Sequence, residues 1–144
     1  MSTIVGNSAM LAPVIALVLW SLVMWVWMYA TRIPAMQKAG GEPDNTLSPT
    51  ELAASIPAPT RWPADNYNHL MEQPTIFYAA ALAAAMAGLG DGMALYSAWA
   101  YVGLRVVHSI LQSTVNHIMA RFAIFSLSTV ALAILTIMTA MEVM

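Results

Sequence analysis

Arg105 lies inside a run of residues otherwise long and apolar enough to cross a membrane. A charge held at membrane depth costs about 2.5–3.5 kcal/mol on insertion scales unless it faces protein or water. The chain must therefore fold so that something receives this guanidinium. Glu72 is the one unmistakable acid near an apolar span at a comparable depth.

Composition makes the membrane setting firm. Hydrophobic residues are 60% of the 144 and charged residues 8%, where about a quarter of a soluble domain is charged. A net charge of −2 argues against nucleic acid, which wants a basic face. With no cysteine there is no disulfide, thiolate nucleophile or thiolate metal site. Any sulfur chemistry must use the sulfur of a ligand.

The hydropathy pattern predicts an all-α, integral membrane four-helix bundle in one domain, with helices at about 9–30, 64–89, 93–112 and 121–142. Each run reaches or approaches the roughly 20 residues needed to cross the hydrocarbon. Trp20, Trp25, Trp27 and Tyr29 gather towards the end of the first, as an interfacial belt does. The first run has no basic n-region and no small-residue cleavage pattern, so a retained helix is expected rather than a signal peptide. Residues 32–63 hold six of the eight prolines, with Gly40 and Gly41, and read as a long surface loop. Within it Ser48-Pro49-Thr50-Glu51 reads as a capping box opening one short helix on the membrane surface. Gly88, Gly90 and Gly92 mark a tight second turn with Asp91 exposed.

Arg32, Lys38 and Arg61 flank or occupy the first loop, and Arg121 closes the third. The positive-inside rule then puts loops 32–63 and 112–121 in the cytoplasm and both termini outside. On this topology polar residues converge in the cytoplasmic half. Asp65, Asn68, His69 and Glu72 share one face of the second helix, and Tyr101, Arg105, His108 and Gln112 form a stripe on the third. Arg105 and Glu72 each lie about 10 Å from the inner ends of their helices, so the two charges are expected to pair. His69 and His117 read as near-interface groups, solvated or bonded to backbone. The three histidines lack a metal or haem spacing, and no metal is expected.

The stretch Asn66-Tyr67-Asn68-His69-Leu70-Met71-Glu72-Gln73-Pro74, followed by Phe77 and Tyr78, resembles the second-helix signature of the MAPEG family, the membrane-associated proteins of eicosanoid and glutathione metabolism. Arg105-Val106-Val107-His108-Ser109 resembles the Arg-x-x-His segment of bacterial members, and Arg121-Phe122 with Phe125 resembles the opening of the family's last helix. The likeness covers nearly the whole chain. It implies a homotrimer with glutathione held between neighbouring subunits at the cytoplasmic leaflet. Arg121 then matches the arginine that stabilises the glutathione thiolate. Glu72 and Arg105 match ligand-positioning residues, with Asn68, Tyr101 and His108 as further contacts in the same site. Two positions depart: Asp65 and His69 stand where glutathione-using members commonly carry an arginine and an asparagine, and an aspartate there repels the ligand's carboxylates.

The resemblance thus implies a glutathione-dependent transferase or peroxidase acting on hydrophobic electrophiles or lipid hydroperoxides in a bacterial inner membrane. Its partners are membrane lipid, copies of itself and a hydrophobic small molecule. A non-catalytic scaffold holding a lipid or a partner protein is the alternative, favoured by Asp65. A proton or ion route through Glu72, Arg105 and His108 is a third reading, which a fixed central arginine opposes.

Overall fold

A computed structural model describes residues 8–40 and 44–144; Gly41, expected in the first loop, lies outside the described residues. Every regular element described is helical: α1 Ser8–Lys38, α2 Pro49–Ala54, α3 Ala58–Leu70, α4 Pro74–Met86, α5 Gly92–Thr114 and α6 Ile118–Val143. Two are long and apolar enough on their own to cross a membrane, α1 over Ala9–Lys38 and α6 over Ile118–Val143. The α5 helix has the length, at 23 residues, but one of its faces is polar.

The first helix runs eight residues past the expected end at Ala30, carrying Pro34 inside it. A proline removes one hydrogen bond from the ladder. In the turn before it, the Thr31 hydroxyl bonds back to the carbonyls of Trp27 and Met28, both at 3.0 Å. The loop expected over 32–63 is shorter for this reason, and because α3 begins at Ala58. The capping box forms as its spacing predicts: Ser48 Oγ accepts from the Glu51 amide, and Glu51 Oε2 accepts from the Ser48 amide at 2.8 Å.

The single helix expected at 64–89 is two helices with a break at 71–73. Pro74 has no N–H and its ring clashes with the carbonyl four residues back, so a regular ladder cannot pass through it. The chain tightens instead of stopping. Met71 N–H bonds to Asn68 O at 3.0 Å, Glu72 N–H to His69 O at 3.3 Å and Thr75 N–H to Glu72 O at 3.2 Å, all one residue closer than an α-helix allows. The α4 helix ends at Met86, and Gly88 just beyond it, with a φ of 86°, lets the Leu89 amide return to Ala84 O at 2.9 Å.

The turn expected at 112–121 is only Val115–His117. Asn116 takes a left-handed φ of 54°, which asparagine tolerates better than most residues. Its amide closes on Leu111 O at 2.7 Å. His117 then caps α6, its Nδ1 accepting from the Ala120 amide at 3.2 Å.

Helix α5 packs along α6; α1 lies against α3, α4 and α5, and α4 against α6. Ala81 and Ala84 on α4 and Ala94 and Ala98 on α5 are fully buried, and such small side chains let backbones approach closely. Outward-facing Leu19, Leu22, Val26, Leu127, Val130 and Ile137 are each more than half exposed or close to it. That apolar exterior suits hydrocarbon rather than water.

Candidate functional site

The polar stripe of α5 turns inward. Ser97, Tyr101, Arg105, His108, Ser109, Gln112 and Ser113 are all buried, and Arg105 is 0% exposed. Its receiver is His69 of α3. Arg105 Nη2 reaches His69 Nδ1 at 2.9 Å and the His69 carbonyl at 3.4 Å. A guanidinium can only donate, so Nδ1 accepts and His69 is neutral with its proton on Nε2. That carbonyl also accepts the Glu72 amide at 3.3 Å, and its second lone pair serves the guanidinium.

Around this pair the rings close ranks. His69 stacks on His108 with centroids 5.0 Å apart and planes 17° from parallel. Phe125 of α6 tilts against both, at 5.3 and 6.2 Å. The Arg105 Cζ lies 5.6 Å from the Phe125 centroid, a cation–π contact. Arg105 Nε and Nη1, His108 Nδ1, the Gln112 carbonyl oxygen and both amide atoms of Asn66 are buried without a protein partner. Buried polar atoms of this kind call for water or a ligand oxygen.

The expected Arg105–Glu72 ion pair is not made. Glu72 is exposed on the break. A tightened turn advances residues about 120° apiece instead of 100°, so helical periodicity carried through Pro74 misplaces Glu72. Tyr101 lies about one turn from Arg105. Its hydroxyl donates to Gln73 Oε1 at 3.3 Å, and Gln73 Nε2 donates to Thr129 Oγ1 at 3.0 Å. The Tyr101 ring stacks on Phe77 at 4.5 Å.

Arg121 sits in the first turn of α6, half-buried. Its Nη1 donates to Asn116 Oδ1 at 2.6 Å, while Nε has no protein partner. Asn68 is exposed and lines a different hollow, a cavity of about 320 Å³ shared with Arg32, Thr50, Arg61 and Asp65. The structure thus gathers Arg105 and His108 with His69 in one buried cluster, with Tyr101 beside it. Glu72 and Asn68 lie on the surface, and Arg121 is held separately at the α5–α6 turn. Among the described residues no group of three His, Asp or Glu could hold a metal.

Sequence reading named His69 and Phe125 but not their contacts with Arg105, and it missed Asn116 altogether. His69 lies three residues before Glu72 on the face that was expected to meet Arg105, so the helix spacing alone made it an equal candidate. Asn116, as asparagine between two helices and five residues from Arg121, was legible as a left-handed turn.

The described regular elements are all helical, two of them long and apolar enough to cross a bilayer, as a helical membrane protein requires. The family model described as the MAPEG family matches residues 10–141, and the chain belongs to that family. It is a membrane family associated with glutathione and eicosanoid metabolism. No curated protein and no solved structure matches the chain.

Proposed function

We propose that this protein is a glutathione-dependent membrane transferase or peroxidase acting on hydrophobic electrophiles or lipid hydroperoxides. The observation that carries the reading is Arg121: a half-buried guanidinium anchored at 2.6 Å by Asn116, with Nε left for another acceptor. A fixed cation beside a thiol favours the thiolate, and the thiolate is the nucleophile. Family membership supports a trimer of four-span subunits, with α3 and α4 together forming the second span. It also supports glutathione lying between subunits at the cytoplasmic leaflet of a bacterial inner membrane. Exposed Glu72 is available to a ligand or a neighbouring subunit. Asn68 is an accessible amide of α3, four residues before Glu72. Arg105, His108 and Tyr101 line the wall behind, and Arg105 acts through His69. The second substrate arrives from the bilayer, along the apolar exterior.

Calorimetry of detergent-purified protein with glutathione, following the ultraviolet thiolate band, tests the reading. Binding with thiolate formation is expected, and Arg121→Ala should abolish the band. No binding at saturating glutathione would sink the catalytic reading.

The second reading is a non-catalytic scaffold for a lipid or partner protein. Asp65, beside Arg61 in the 320 Å³ hollow, favours it because that carboxylate opposes the two of glutathione. Under it, Glu72→Ala damages assembly and leaves no activity to lose.

A further inference from the structure

Three of the five cations of the chain, Arg32, Lys38 and Arg61, gather where α1, α2 and α3 meet, away from the Arg105 cluster. Arg32 of α1 and Arg61 of α3 line one hollow of about 320 Å³, closed on another side by Thr50 and Ala53 of α2. Arg61 Nε is shut off from solvent with no protein partner. Among the described residues neither arginine forms an ion pair. The acid of α2, Glu51, is turned back onto Ser48. Asp65 is the one carboxylate in the lining, so two arginines against one aspartate leave a single net positive charge.

Depth identifies the ligand class. Arg32 follows Tyr29 by three residues, about 4.5 Å further along the helix, just beyond the aromatic belt that marks the membrane interface. The 31 residues of α1 extend about 46 Å. That length exceeds the roughly 30 Å hydrocarbon and matches the 40–45 Å that includes headgroups. The hollow therefore lies among the lipid headgroups. On the membrane side, Trp25 and Tyr29 occupy the same stripe of α1 as Arg32, two turns and one turn below it. With Val26, Ala30 and Ile33 they form an open, almost wholly apolar face of α1, suited to an acyl chain.

We propose that the Arg32–Arg61 hollow binds the phosphodiester of an anionic phospholipid, with both guanidiniums on the phosphate oxygens and an acyl chain against Trp25 and Tyr29. A monoanionic phosphate matches the one net positive charge of the lining. The site is separate from Arg121 and shares only Asn68 with the glutathione reading.

The test titrates purified full-length protein in phosphatidylcholine mixed micelles with phosphatidylglycerol carrying a fluorophore on one acyl chain. Saturable binding that excess phosphatidylcholine does not displace is expected. Arg32→Gln and Arg61→Gln should each weaken it about fivefold. Asp65→Asn should tighten it by a similar factor, a gain that misfolding cannot produce. Equal competition by phosphatidylcholine, or an unchanged Asp65→Asn variant, overturns the proposal. Displacement by millimolar inorganic phosphate would make this a soluble oxyanion site and overturn the lipid assignment. Displacement by glutathione would give the hollow to that ligand, overturning the proposal while strengthening the catalytic reading. Failure of glutathione to bind at all would sink the catalytic reading and leave the lipid site standing.

Discussion

Replacing Arg105 by methionine keeps much of the packing volume and removes two hydrogen bonds to His69 together with the charge over Phe125. Hydrogen bonds to a charged group contribute about 1.5–3 kcal/mol. Arg105→Met should therefore lower the unfolding free energy in detergent by roughly that amount, read from denaturant or thermal unfolding. A change within about 0.5 kcal/mol, the range of ordinary surface substitutions, would mean that the cluster contributes no stability. Asn116 invites a sharper test because its backbone and side chain do separate things. Asn116→Gly keeps the left-handed φ of 54° and deletes only the carboxamide that holds Arg121 at 2.6 Å. The expected result is a protein that unfolds at the wild-type temperature but generates several-fold less glutathione thiolate. Unchanged thiolate yield would reduce Asn116 to a turn residue.

The elements differ in how far sequence pattern defines them. Helices α1 and α6 were legible because length and apolarity suffice, and the inward stripe of α5 because 3.6 periodicity holds over an unbroken helix. Pro34 and Pro74 look alike in the sequence, yet α1 continues through one and the second span breaks at the other. The difference is local: Thr31 bonds back beneath Pro34, whereas the turn at Pro74 tightens. The Arg105–Glu72 pair, which relied on side-chain facing carried across 71–73, failed with that change of register. Helix α2 was legible through its capping box, and it has a pH signature. Glu51 is held below the ordinary glutamate range, first by the Ser48 amide and then by the Ser48 hydroxyl. A depressed carboxylate contributes stability above its unfolded pKa and loses it as pH falls through the folded value. Amide protection in residues 49–54 should therefore fall on acidification below the ordinary glutamate range, measured by hydrogen exchange. Glu51→Gln should remove the pH dependence. Persistent dependence in that variant would transfer the effect to Asp44, whose carboxylate is lowered by Thr46.

Across the whole molecule, the proposed orientation is open to a clean chemical test because the chain has no cysteine. Ser55→Cys, between α2 and α3, should react with a membrane-impermeant maleimide only from the cytoplasmic side of sealed vesicles. Asp91→Cys, at the exposed residue just before α5, should react only from the opposite side. The reverse pattern would invert the topology and take the Arg32–Arg61 hollow to the outer leaflet with it. The break between α3 and α4 also changes how charge is held inside the protein. An unbroken helix would carry one macrodipole with its poles at the membrane surfaces; the break at 71–73 makes two shorter dipoles that meet inside the protein. Each pole amounts to about half an elementary charge. The negative end of α3 presents the His69 carbonyl to Arg105, and the positive end of α4 begins two residues after Glu72. Arg105 of α5 thus meets the negative pole of α3, and Glu72 sits beside the positive pole of α4, so a cation and an anion are each held near a helix pole of opposite sign without touching each other.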